Sequence, residues 1–226
     1  MAARRTYGSY NDGCASAHAL DLIGERWALI VVRELLLGPK RFADLQRDIP
    51  GIGPTALTHR LNDLESAGVA LRRTLPSPAR VAVYDLTDWG RGLEAVNAAL
   101  SLWAVGSPRL PRDADMSPDT LVLAMRAHAR PLPPGARAVR VALELADPRA
   151  LDREPVGYSA TVTAHGTSIA KEPADAAVDA VVRTTTRAWK PLVLGSGRLD
   201  ASVGVQVEGD IRAARALVDA VRLEPG

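Results

Sequence analysis

The sequence predicts an α+β protein of two domains, a mostly helical one followed by one built around a sheet. Three observations carry that prediction. The stretch Gly106-Ser-Pro-Arg-Leu-Pro-Arg-Asp-Ala-Asp115 combines two prolines, a glycine and alternating charge without periodicity, and proline forbids helix continuation through it. Before that stretch apolar residues recur mostly at helical spacing, interrupted by one pair of short β-rich runs. After it, β-rich and helical runs alternate as in a largely antiparallel sheet with helices on one face. The domains are expected at residues 1–106 and 117–226, joined by a linker over 107–116.

In the first domain Ala15–Ile23 reads as a short apolar helix, and Arg26–Leu37 as a strongly apolar one stopped at Gly38-Pro39. Arg41–Arg47 is a third helix, with Phe42 and Leu45 at i and i+3. After the turn Pro50-Gly-Ile-Gly-Pro-Thr, the segment Thr55–Ala67 places Leu57, Leu61 and Leu64 on one face, and Gly68 suits its C-terminal end. The period then changes. Val69–Thr74 and Val81–Leu86 are β-rich and flank a proline-containing tip, which predicts a hairpin. Thr87-Asp88 suits the cap of a final helix, Gly90–Trp103, with Leu93, Val96, Leu100 and Trp103 near helical spacing. This order is that of a winged helix-turn-helix.

In the second domain a helix is expected near Pro118–Arg130. β-rich runs follow at Ala138–Leu145, Val156–Ala164, Ser168–Lys171 and Ala177–Thr184. Thr186–Leu194 reads as a helix, Val203–Val207 as a strand and Asp210–Val221 as a closing helix.

Composition excludes several classes. Apolar residues make up 47% and charged residues 24%, which argues against wholesale disorder. No run is long and apolar enough for a membrane span, and the first residues lack a signal-peptide core, so a soluble cytoplasmic protein without a membrane partner is expected. A single cysteine leaves no disulfide framework and no multi-cysteine metal site. Basic and acidic residues number 12 and 11 in residues 1–108, and 16 and 15 in residues 109–226. Nucleic-acid binding therefore has to rest on local placement of side chains rather than on bulk charge.

That placement points to the helix after Gly53. With its leucines inward, the outward residues are Thr55, Ala56, Thr58, His59 and Asn62 behind the first-turn Pro54, with Arg60 beside them, able to reach a phosphate or to lock to a nearby carboxylate. Ordinary solvated residues on a helical surface are the plain alternative. Recognition helices contact base edges mainly from their N-terminal residues. Arg72 and Arg73 on one strand of the hairpin and Arg80 at its tip are the expected backbone or minor-groove contacts, with solubilising charge on an edge hairpin as the alternative. Arg41 on the preceding helix is a further DNA-binding candidate.

Cys14-Ala-Ser-Ala-His-Ala-Leu-Asp-Leu-Ile-Gly-Glu-Arg-Trp27, Leu37-Gly-Pro-Lys-Arg-Phe-Ala-Asp-Leu45, Leu57–Gly68 and Arg80–Gly90 resemble, in order, the blocks of HxlR-type, MarR-like winged-helix regulators of bacteria. The similarity covers residues 10–105 approximately. It implies a homodimeric transcription regulator of double-stranded DNA, with a repressor as the expected sign, joined through Ala15–Ile23 and Gly90–Trp103. Two departures stand out: the usual proline after the cysteine is Ala15, and the family is normally a single short domain. The resemblance also implies that Cys14 is a thiol switch, the first alternative for the signal. A helix start lowers thiol pKa in any case, although a small packed residue is the plainer reading.

The segment Asp179–Leu217, with Trp189, Gly197-Arg-Leu-Asp200 and Gly209-Asp210, is similar to the end of sterol-carrier-protein-like domains, and the likeness extends over about 117–222. It implies a sheet and helices around an apolar cavity that takes a small apolar ligand. Leu121, Met125, Tyr158, His165, Trp189, Leu192 and Val205 are the candidate lining residues. A lipid-binding carrier whose winged helix only dimerises it is a second alternative. Catalysis is not expected, and neither is a cofactor: His18, His59, His128 and His165 have no metal-ligand spacing, and Gly195-Ser-Gly-Arg forms no phosphate loop.

Overall fold

The structure, a computed structural model, describes residues 9–172, 177–199 and 203–223. It divides into two compact units, Met1–Asn97 and Ala98–Gly226. The first contains α1 (Ala15–Ile23), α2 (Ala28–Leu35), α3 (Phe42–Asp48), α4 (Pro54–Ser66), β1 (Ala70–Thr74), β2 (Ala82–Leu86) and α5 (Asp88–Arg91). The division falls inside α6 (Leu93–Ala104).

Leu35 on α2, Leu45 on α3, and Leu57 and Leu61 on α4 are fully buried and form the core of this unit with Val31 and Val32. α2 starts two residues later than its apolar pattern suggests because Trp27 takes a left-handed conformation, φ 79°, at its N-cap. The expected final helix is two helices, separated at Gly92. Gly90 is required by close approach, since a Cβ there would run into the Val69 carbonyl.

Two charged clusters set the angles between these elements. The buried ammonium of Lys40 lies 2.8 Å from Glu34 Oε2 and 3.0 Å from Asp48 Oδ2, joining α2 to α3. The Lys40 backbone also pairs with Tyr84 of β2: its N–H donates to the Tyr84 carbonyl at 3.0 Å and its carbonyl accepts at 2.8 Å. In the hairpin, which runs in register from Ala70↔Leu86 to Thr74↔Ala82, the buried Asp85 carboxylate accepts from Arg73 at 2.8 Å and from Arg91 of α5 at 2.7 Å.

The second unit contains α7 (Pro118–His128), β3 (Val139–Ala146), β4 (Val156–Thr163), β5 (Gly166–Ala170), β6 (Ala180–Thr185), α8 (Thr186–Val193), β7 (Val205–Gly209) and α9 (Ile211–Val221). Its sheet has the order β5-β4-β3-β6-β7, with β3 and β6 parallel and the other pairs antiparallel. Alternate residues Val141, Leu143 and Leu145, with Tyr158, Ala160 and Val162, point into a core shared with α7, α8 and α9. On the other face Arg183 bridges Glu144 at 2.9 Å and Glu208 at 2.7 Å.

Two strands are displaced from their sequence pattern for identifiable reasons. β6 begins at Ala180 rather than Ala177, because the Asp179 carboxylate occupies the Arg140 N–H at 2.8 Å. β7 begins at Val205 rather than Val203, because Gly204 turns the chain with φ 85°. Of the Gly-Arg-Leu-Asp step, Asp200 lies outside the described residues.

Replacing Lys40 by methionine takes from Glu34 and Asp48 the cation they share, leaving Arg33 at 2.9 Å from Glu34 and Arg47 at 2.7 Å from Asp48. Removing one partner of a buried ion pair costs about 3–5 kcal/mol. With those two arginines still in place, Lys40→Met should lower the unfolding free energy of the first unit by no more than that amount, read as a shift of its urea midpoint.

Candidate nucleic-acid interface

α4 turns its leucines inward and leaves one polar stripe outward. At about 100° of rotation per residue, Thr55, Thr58, His59 and Asn62 fall within a single arc of roughly 100° opposite Leu57, Leu61 and Leu64. All four are exposed, and Pro54 occupies the first turn behind the N-cap Gly53. The Thr58 hydroxyl donates to the Pro54 carbonyl at 2.9 Å, so its methyl group and oxygen lone pairs remain to face outward.

The basic candidates divide by partner. Arg60 is half-buried and lies off the stripe; its guanidinium is 2.9 Å from Asp63 and 3.9 Å from Glu25. It therefore takes the carboxylate-locked arrangement of its two expected roles. Arg41 is exposed but bound to Asp44 at 2.8 Å, and Arg73 is held by Asp85. Arg80 is exposed at the hairpin tip in a left-handed conformation, φ 40°. The structure thus brings Thr55, Thr58, His59 and Asn62 together on α4, and sets Arg73 and Arg80 on a separate element.

A second surface is apolar. α6 buries none of its residues, and Val96, Leu100 and Trp103, which share one side at helical spacing, are exposed, Trp103 by 82%. Within the first unit an apolar groove of about 240 Å³ lies between α1 and the α5–α6 corner, lined by Leu22, Ile23, Val69, Trp89 and Leu93 among others.

Against known proteins, the model of the HxlR-like helix-turn-helix family matches residues 22–108. The uncharacterized HTH-type transcriptional regulator YvaP of Bacillus subtilis is 36% identical over 87 residues, 38% of this chain and 80% of that protein. The HTH-type transcriptional regulator YodB of the same species is 36% identical over 86 residues, 38% of this chain and 77% of its own. The chain belongs to the HxlR-like helix-turn-helix family. The solved reduced form of YodB aligns with 42% of this chain and 95% of its own at 33% identity, with a TM-score of 0.38.

The matched region of this HxlR-family chain ends near the start of its second unit. There the candidate lining residues have separate fates. Leu121, Met125, Trp189 and Leu192 are fully packed in the core, and Val205 is half-buried on β7. His165 is exposed in the β4–β5 turn. Tyr158 is buried and donates to Asp119 at 2.7 Å, while Asp119 also binds Lys171 at 2.8 Å. Asp119 and Lys171 carry no signal in the sequence, because their pairing spans 52 residues. Among the described residues no group of three or more His, Cys, Asp or Glu is placed to hold a metal ion, and no helix is long and apolar enough to cross a membrane.

Cys14 is exposed at the N-cap of α1, with its sulfur 3.0 Å from the Ser16 hydroxyl. That hydroxyl, and then the amides of Ala17 and Ser16, hold the thiol below its ordinary pKa. The amides close no capping hydrogen bond, so they act as nearby dipoles. Ser16 was missed from the sequence, although a hydroxyl two residues after a cysteine at a helix start is a readable signal. Because the thiolate is the reactive form, Ser16→Ala should move the midpoint of the iodoacetamide rate–pH curve for Cys14 to higher pH, slowing alkylation at neutral pH.

Proposed function

We propose that this HxlR-family chain is a homodimeric transcriptional repressor that reads double-stranded DNA with α4 and grips its backbone or minor groove with the hairpin tip. The observation that carries this reading is the single outward stripe of Thr55, Thr58, His59 and Asn62, polar and exposed on a helix whose other side is core. Two such helices in a dimer would occupy half-sites about one helical turn, roughly 34 Å, apart. Dimerisation is supported by α6, which buries no residue of its own, and by the apolar groove beside α1.

The second unit is read as the ligand-sensing part, of sterol-carrier-like type. What supports it is the order β6, α8 with Trp189, β7, α9, and two buried groups on α8. Among the described residues the Trp189 indole N–H and the Thr186 hydroxyl meet no hydrogen-bond partner, a costly arrangement that a ligand oxygen or water would relieve. A thiol signal at Cys14 is the second reading, favoured by the exposure of the sulfur and its lowered pKa. Identical DNA affinity before and after mild oxidation, in wild type and in Cys14→Ser, removes it.

Fluorescence anisotropy on the duplex upstream of its own gene, against a scrambled duplex at two salt concentrations, tests the main reading. Preference for the upstream duplex that survives added salt is expected. Thr58→Ala or His59→Ala should lose about five- to a hundredfold of that preference, the range for a lost base contact. Arg80→Ala should weaken all duplexes alike and lower the salt slope by about one. Equal loss on every duplex for the α4 variants would overturn the assignment of that stripe.

A further inference from the structure

We infer that the base pairs under α4 are A·T pairs, read without a guanidinium; this rests on the DNA-reading function proposed above. Guanine is most often recognised by an arginine that places two donors on O6 and N7. α4 carries one arginine, and both its direction and its partners remove it from that task. At about 100° per residue, Arg60 lies roughly 100° beyond the nearer edge of the outward stripe. Its side chain is only 20% exposed, with the guanidinium bound to Asp63 at 2.9 Å. Nor do the neighbouring cations substitute for it. Arg41 is bound to Asp44 on α3, and the Lys40 ammonium is buried between Glu34 and Asp48.

The groups that remain on the stripe match adenine and thymine. Asn62 offers one acceptor and one donor side by side, complementary to adenine N6–H and N7. Guanine in that place would set its O6, an acceptor, where the carboxamide oxygen requires a donor. Thr55 and Thr58 present methyl groups, which fit against the thymine methyl. The Thr58 hydroxyl proton is committed to the Pro54 carbonyl at 2.9 Å, so this residue accepts and has no donor for guanine. His59 can donate to a purine N7, which adenine and guanine share, and so does not favour guanine.

The test is selection of binding sites from a random duplex library by the full chain, followed by anisotropy on the selected duplex. A·T pairs are expected at the positions covered by α4 in each half-site. Exchanging the adenine opposite Asn62 for guanine should weaken binding about tenfold, the order of one mismatched pair. Asn62→Ala, at an exposed position, should bring the two duplexes to within about twofold, while Arg60→Gln should leave the selected sequence unchanged. Conserved G·C pairs under α4 whose selection is lost in Arg60→Gln would overturn the inference and leave the regulator reading intact. A library from which the folded protein enriches nothing would remove the DNA-reading function and this inference together.

Discussion

The Lys40 ammonium between Glu34 and Asp48 is the constraint on which the geometry of the helical unit turns. It ties the end of α2 to the end of α3 through charges that are almost wholly out of water. Burying three charged groups is expensive, and an apolar cluster of equal volume would serve stability as well. What the cluster adds is direction, since an ammonium with carboxylates at 2.8 and 3.0 Å admits few arrangements. The same residue pairs through its backbone with Tyr84, so the orientation of the hairpin is fixed from the point that fixes α3. α4 follows α3 after a short turn, and the two elements proposed to meet DNA thus share one reference.

Asp85 extends this logic along the hairpin. By accepting from Arg73 on β1 and Arg91 on α5, it anchors the base of the hairpin to the helix that leads into α6. The consequence for binding is one of charge economy. Arg41, Arg60 and Arg73 are each held by a carboxylate, whereas Arg80 stands exposed at the tip. A chain with a net charge of +2 does not gather DNA by bulk attraction. On the proposed reading, discrimination comes from hydrogen-bond pattern and methyl contact on the α4 stripe, which is where the polar side chains stand.

Local periodicity made most of this architecture legible. Leu57, Leu61 and Leu64 define the inner side of α4, and so its outer stripe, without knowledge of any neighbour. The hairpin followed from two β-rich runs around prolines, and the strands and helices of the second unit from their changes of period. What escaped was decided by contacts between distant residues or by single backbone angles. Glu34, Lys40 and Asp48 read as ordinary surface charge, because nothing local shows that they converge. Trp27 delays the start of α2 through a left-handed φ, and Asp179 shortens β6 by taking the Arg140 amide. The candidate ligand residues were recognisable as apolar positions at regular spacing, a pattern that a packed core and a cavity wall produce alike. Four of them pack in the core.

α6 presents a different physical problem. Isolated helices of about twelve residues are marginal in water even for favourable sequences, and helices in proteins draw most of their stability from a buried face. α6 has twelve residues, is largely apolar, and buries none of them, with Trp103 exposed by 82% and Trp89 of α5 by 60%. A helix of this composition is stable when its apolar side meets another such surface. A second copy of the same helix, as in the proposed homodimer, would supply that surface with matching chemistry, and an isologous pairing needs only one self-complementary patch. In the proposed homodimer helix formation and subunit association would be one event: the residues that close the dimer would also be those that keep α6 helical.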